Sequence, residues 1–362
     1  MSPHRIAAHV ARALGAVLLA TGSAAAGTAL ASTAPPARWK VQAAPAVSGI
    51  LSGVAATSAG NAWAVGQTVT PAFEGRPLIE HWDGTTWRRQ PGPRLPAGSE
   101  LAGIAATSAR SAWAVGSTGS RVLIEHWTGT AWRVAPEKMR GQLSGVAMTS
   151  ARNGWAVGDG AGGRTLILRW NGSAWRRVPG PGLSAPAILI GVAATSPASA
   201  WAVGETGPNV FSGKVLIEHW NGTAWHRQRA PHLAIGLLTG VAASSGRDAW
   251  AVGETRNSRT LTVHWNGTAW RQVRSPCTRD CELADVAVSS RQDAWAVGGI
   301  LDGRAVILHW NGSSWKQVPS PSPKGTRAGD LIGITELSPR SMWAVGRTGI
   351  PTGARTLIER RR

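Results

Sequence analysis

Few residues in this chain of 362 have the type and spacing to do chemistry. Hydrolysis of a glycosidic bond needs two carboxyl groups roughly 5–10 Å apart. Asp285 is the best starting point, because six other copies of an internal repeat carry glycine there (Gly53, Gly103, Gly145, Gly191, Gly240 and Gly333). Asp330 and Glu336, in the next repeat, are the acids that could join it, although nothing in the spacing demands it. Glu80, Glu125, Glu218 and Glu359 recur at one repeat position, but Leu168, Val263 and Leu308 also fill it, so it reads as a packing or rim position. His81, His126, His219, His264 and His309 also recur, with Arg169 and Arg360 substituting. Spread over separate repeats, they cannot share a metal, and no metal or cofactor is expected. The absence of tyrosine removes tyrosine nucleophiles and tyrosyl radicals.

Two other pairings suggest binding or bracing. The only phenylalanines, Phe73 and Phe211, lie close to Arg76 and Lys214. An aromatic ring beside a cation suits sugar stacking or a protein partner, and a phenylalanine that merely pins its own loop explains the same pattern. Cys277 and Cys281 are the only cysteines. In an exported chain they read as a disulfide closing a short loop. Two cysteines cannot close a zinc site without further ligands.

Export is itself an expectation. Residues 1–31 carry Arg5 and Arg12, a charge-free run from Ala13 to Ala31, and a small-x-small end at Ala29-Leu30-Ala31, the pattern of a secretory signal. An uncleaved membrane anchor is the rival, since the run is almost long enough to span a bilayer.

The elements that must position these residues come from repetition. Trp-Ala-Val-Gly occurs seven times, beginning at Trp63, Trp113, Trp155, Trp201, Trp250, Trp295 and Trp343. The spacing of 42 to 50 residues is that of propeller blades. A second tryptophan follows at Trp82, Trp127, Trp170, Trp220, Trp265 and Trp310, and a third always five residues later at Trp87, Trp132, Trp175, Trp225, Trp270 and Trp315. With Trp39, these are all 20 tryptophans. Each repeat divides into four short strands, a to d, with the three tryptophans on b, c and d. Asn-Gly or Asp-Gly between c and d predicts a two-residue type I′ hairpin, with the c and d tryptophans as diagonal neighbours on one face. The last repeat lacks strand d, whereas Arg38-Trp39-Lys40-Val41 matches strand d and precedes the first strand a. The expectation over residues 38–362 is an all-β, seven-bladed propeller of four-stranded blades, closed where the strand around Trp39 completes the last blade. Closure leaves no sticky sheet edges.

Loop lengths then point to a face. The a-to-b and c-to-d spacings are constant, whereas the b-to-c tryptophan spacing runs from 14 to 19 and the d-to-a connections vary. In an up-and-down blade the b–c and d–a connections emerge on the same side, so all variation gathers on one face, where function is expected. That face carries Arg94, Lys138, Arg140, Arg164, Arg256, Arg259, Arg274, Arg279 and Arg304, with Glu100, Asp159, Glu205, Glu254 and Asp302 among them, a mixture that leans basic.

The formal net charge is +19, with arginine supplying nearly all of it. Charge of this size attracts polyanions without specificity. Part of it lies on strand d, where the residue after each tryptophan is basic or histidine, a pattern that also resists edge-to-edge pairing. No nucleic-acid recognition motif accompanies it, so specific nucleic-acid binding is not expected.

The repeats resemble Asp-box, or BNR-like, propellers, nearest to the photosystem II assembly-factor type. Asn153-Gly154-Trp155-Ala156-Val157-Gly158 carries the likeness, as does the Asn-Gly-Thr-Ala-Trp type of c–d segment. The Asp-box itself is degenerate, since Trp170 and Asn171 stand where its Ser/Thr-x-Asp part belongs. The resemblance implies the fold; its members include glycosidases, binding proteins and assembly factors, so it does not choose among them. The reading that results is a secreted, monomeric, non-catalytic module for extracellular polysaccharide, cell-wall polymer or a protein partner. The alternative is a carbohydrate-active hydrolase.

Overall fold

Trp39 opens the first of 28 strands, numbered β1 to β28 in chain order, in a computed structural model. The structure describes residues 37–70, 75–207, 213–231, 236–277, 279–321, 329–349 and 353–362. The leader read at residues 1–31 and both phenylalanines lie outside these residues.

The strands form seven four-stranded antiparallel sheets. Blade one is β2 (Gly49–Ser58), β3 (Asn61–Thr68), β4 (Pro77–Trp82) and β5 (Trp87–Arg89). The next five blades repeat this order. Blade seven takes its first three strands from the C-terminus, β26 (Gly329–Ser338), β27 (Ser341–Thr348) and β28 (Arg355–Arg361). Its fourth is β1 (Trp39–Val41), paired Trp39↔Arg361, Lys40↔Arg360 and Val41↔Glu359. The ring therefore closes as the two chain ends imply.

The innermost strands meet at a ring of glycines. A Cβ on Gly53 would come within 3.3 Å of the Gly103 Cα, and one on Gly333 within 3.1 Å of the Gly53 Cα. The small residue is demanded by the close approach of neighbouring backbones. Each lies just past a register shift in its a–b ladder, as between Leu51 and Gly53. Such bulges bend and twist the strand locally.

Tryptophans weld the blades together. At each seam the strand-b indole of one blade receives the c and d indoles of the next. Trp63 lies 4.9 Å from Trp127 and 5.2 Å from Trp132, the latter edge to face. Trp113, Trp155, Trp201, Trp250 and Trp343 do the same with Trp170/Trp175, Trp220/Trp225, Trp265/Trp270, Trp310/Trp315 and Trp82/Trp87. At the closing seam Trp39 lies 5.9 Å from Trp295, while the Arg361 guanidinium sits 4.5 Å over the same ring in place of a third indole. Seven trios with one arginine substitution account for the whole tryptophan complement.

The c–d turn differs from the expected hairpin. Trp82 pairs directly with Trp87, and Trp170 with Trp175, so four residues form the turn and the indoles are opposite rather than diagonal. In Asn171-Gly172-Ser173-Ala174, Asn171 Oδ1 accepts the N–H groups of Ser173 and Ala174, and Gly172 takes φ +96°. The asparagine is an Asx staple, a use its adjacency to glycine alone does not distinguish from a type I′ pair.

Candidate functional site

The first strand of every blade borders a central channel of about 380 Å³. Its wall is apolar at mid-depth, with Val54, Ile104, Val146, Val192, Val241, Val286 and Ile334 recurring blade by blade. Its mouth on the variable-loop face is polar. The second residue of strand a and its cross-strand partner near the end of strand b place Glu100 opposite Ser117, Leu237 opposite Glu254, Glu282 opposite Gly299 and Asp330 opposite Arg347.

This mouth is acidic on an otherwise basic molecule. Arg347 is its buried cation, and Asp330 Oδ2 accepts from both Arg347 Nε (3.1 Å) and Nη2 (2.9 Å). Glu282 is pushed up to about 8, by burial first and then by the neighbouring charges of Glu254 and Asp330. Burial raises Glu254 as well, and raises Asp330 despite the opposing pull of Arg347.

The three carboxylates singled out from sequence do not converge as a free acid pair. Asp285 lines the channel at the glycine ring, and its oxygens accept the backbone N–H of Val286 (2.8 Å) and of Ile334 in the next blade (3.0 Å). Burial raises it to about 7. Asp330 stands at the mouth, held by Arg347. Glu336 lies further along the same strand, paired in register with Met342, and is raised to about 7 by burial.

Glu80, Glu125, Glu218 and Glu359 are wholly buried, so the position is interior and not a rim. Burial raises each to about 7. Neither oxygen of Glu125 or Glu218 has a hydrogen-bond partner among the described residues. The histidines are also committed within their own blades: His81 stacks 4.0 Å from Trp63 and bonds Asn61 Oδ1 at 2.8 Å, while His264 and His309 pair with Asp248 and Asp293. Among the described residues no group of three or more His, Cys, Asp or Glu is placed to hold a metal.

Outside the channel mouth lies a cationic ring, five of whose members (Arg76, Arg164, Lys214, Arg259 and Arg304) were named from sequence without their shared repeat position. Counting back six residues from the strand-c tryptophan, or from Arg361 in blade seven, gives Arg76, Arg121, Arg164, Lys214, Arg259, Arg304 and Arg355. All seven are exposed at the b–c end of their blades. Only the fixed offset reveals them as a ring, because the loop in front varies in length. Arg76 Nη1 donates to the Leu95 carbonyl (2.8 Å) and Arg304 pairs with Asp302 (2.6 Å). The other five have no side-chain hydrogen bond or ion pair among the described residues.

Blade five adds depth to this ring. Arg256, Arg259 and Arg274 wall a recess of about 400 Å³ floored by the buried hydroxyls of Thr260 and Ser275. Cys277, joined to Cys281 by a disulfide, forms one edge. The Cys281 N–H bonds the Ser258 carbonyl at 3.1 Å, so the disulfide loop is docked on the b–c turn that carries Arg256.

No family model and no curated protein matches the sequence. Solved structures match the fold over most of the chain. YCF48 bound to D1 peptide superposes with a TM-score of 0.62 at 15% identity, covering 91% of this chain and 96% of that one. Virginiamycin B lyase from Staphylococcus aureus gives 0.60 at 12% identity, with 90% and 99% covered. The BP39L lectin from Burkholderia pseudomallei gives 0.55 at 12%, with 84% and 97% covered. The likeness to the photosystem II assembly-factor type therefore holds at the level of fold, and the chain is a seven-bladed propeller.

Proposed function

We propose that this chain is a secreted, monomeric binding propeller whose variable-loop face takes an extracellular polymer, a polysaccharide or a cell-wall polymer. The observation that carries the reading is the concentration of features on one side of the disc. The strand ends joined by connections of variable length, the acidic channel mouth and the cationic ring lie there, while the opposite face has short turns of constant length. A rigid tryptophan-welded ring is suited to presenting such a face without rearranging. The likeness to a peptide-bound assembly factor and to a lectin is compatible with a protein or a sugar as ligand; the polymer reading rests on the exposed cations and on the broad face.

The carboxylates support binding over hydrolysis. Asp285 is engaged by two backbone N–H groups and Asp330 by Arg347, so neither is poised as a free acid or base. The test is retention of the protein on immobilised neutral and anionic polysaccharides at low and high salt, with sugar release assayed in parallel. Retention without release supports a binding module. Release that disappears in an Asp285→Asn variant still folded at the assay temperature establishes the hydrolase instead, and failure to retain any glycan overturns the polymer reading.

A further inference from the structure

We propose that the cationic ring is a collar for a linear anionic polysaccharide, anchored most strongly at the blade-five recess of Arg256, Arg259 and Arg274. The inference rests on the polymer-binding reading and names the class of polymer and the place where it binds.

Bulk charge does not account for this arrangement. Cations scattered by overall composition would not recur at one offset in seven blades out of seven. Nor do they serve as partners for acids across the strand. Arg121 faces Thr118, Arg164 faces Gly160, Lys214 faces Thr206, Arg259 faces Thr255 and Arg355 faces Thr348. Among the described residues these five cations of the ring thus have no carboxylate partner, and all five are exposed.

Three features of the recess favour an oxyanion. Guanidinium groups bind sulfate, phosphate and carboxylate oxygens in paired hydrogen bonds, and arginine is weakly hydrated compared with lysine. Three of them around one hollow can engage one anionic group from several directions. Exposed Gln272 stands on the wall as a further polar contact. The turn beneath is fixed, with Ser258 in the left-handed region at φ 50° and its N–H bonded to the Thr255 carbonyl at 3.0 Å. Elsewhere the collar offers one cation per blade, which suits a polymer carrying charges at intervals better than a compact anion.

Geometry also opposes a polymer threading the channel. The described residues of the mouth inside the collar include the acids Glu100, Glu254, Glu282 and Asp330 and one cation, Arg347, already held by Asp330, so the mouth offers an anionic chain no open cation. A cationic collar around a centre without open cations steers an anion to the rim, which a uniformly basic surface does not do.

The test uses a sulfated octasaccharide, its desulfated counterpart, and single-stranded DNA of matched charge, titrated at about 0.15 M salt, where the Debye length is ~8 Å. The variants are Arg256→Gln/Arg259→Gln/Arg274→Gln in the recess and Arg133→Gln/Arg176→Gln/Arg271→Gln on the outer strands, which remove the same charge from exposed positions. A second collar variant, Arg164→Gln/Arg355→Gln, covers the case in which the recess triple fails to fold. The collar predicts at least tenfold tighter binding of the sulfated than of the desulfated sugar. It also predicts a loss of tenfold or more in the recess triple, severalfold weakening in Arg164→Gln/Arg355→Gln, and less than threefold change in the outer-strand triple. Equal losses in the two triples would overturn it, as would DNA binding as tightly as the sulfated sugar. If neutral glycans bind and the sulfated one does not, the collar fails while the polymer-binding reading stands; if no glycan binds, both fail.

Discussion

The Asp285 carboxylate of blade six accepts the backbone N–H of Ile334 in blade seven at 3.0 Å, so one acid ties the innermost strands of two blades together. Its neighbour on the other side is equally close: a Cβ on Gly240 would fall 2.7 Å from the Asp285 Cα. An aspartate can replace glycine in this ring because its side chain finds two amide donors. Asp285→Asn keeps the shape but offers only one acceptor oxygen and turns an NH₂ group toward an amide. The expected loss is about 1–3 kcal/mol for a mismatched buried hydrogen bond, read from urea unfolding at pH 8. A variant as stable as the parent would mean that the blade-six carboxylate braces nothing.

Buried glutamates give the fold a dependence on pH opposite to that of most acid-sensitive proteins. Glu125 and Glu218 are raised from 4.5 to about 7, and Glu80 and Glu359 likewise. Between those values the folded chain holds protons that the unfolded chain has released. Their stabilising contribution is therefore complete below about pH 4.5 and is lost as pH rises through 7. Each such shift corresponds to about 3 kcal/mol. The melting temperature should fall between pH 5 and pH 8, and Glu125→Gln/Glu218→Gln should flatten the curve and raise the value at pH 8. A melting temperature that climbs steadily over this interval contradicts the assignment.

Strand order and ring closure were legible in the sequence for a physical reason. Indole trios need one tryptophan on each of three strands, and that demand imprints an invariant spacing. The missing final strand and the orphan Trp39 fitted together for the same reason. The functional face left a weaker trace. Its loops vary in length, so the cations of the collar align only when counted backward from strand c. The role of Asp285 depended on a neighbouring blade's amide, some 50 residues away in the chain, which spacing within one repeat cannot show. The turn at Asn171 was misjudged because the asparagine acts through its side chain on Ser173 and Ala174 rather than through the backbone of a two-residue turn.

Closure should dominate global stability. Trp39 is 6% exposed and supplies the only d-strand indole at the seam of blades six and seven, where Arg361 fills the place of another. Trp39→Ala should cost about 3–5 kcal/mol. Removal of residues 32–42 should lower the melting temperature further, because it also exposes the edge of β28. Arg361→Ala should cost less, since an arginine over an indole is worth about 0.5–2 kcal/mol. Thermal melts should show the largest drop for the deletion, then Trp39→Ala, then Arg361→Ala; a truncated chain that melts with the parent would show that β1 does not hold the ring.

Arg347 and Asp330 offer the clearest separation of stability from charge at the channel mouth. Their contact has two hydrogen bonds and both groups are buried. Removing one member strands the other in a poor dielectric, at a cost of about 3–5 kcal/mol, whereas replacing both by apolar residues is often close to neutral. Arg347→Met should be the worse single change, because it leaves Asp330 beside Glu282, which already feels the charges of Asp330 and Glu254. Arg347→Met/Asp330→Leu should recover most of the loss. A double-mutant cycle in urea measures the coupling directly. The collar cations lie on another ring, and the double variant removes one charge of each sign, so it should retain sulfated sugar within about threefold. If the double loses as much stability as the two singles added together, the pair is not coupled, and the mouth owes its order to the surrounding strands alone.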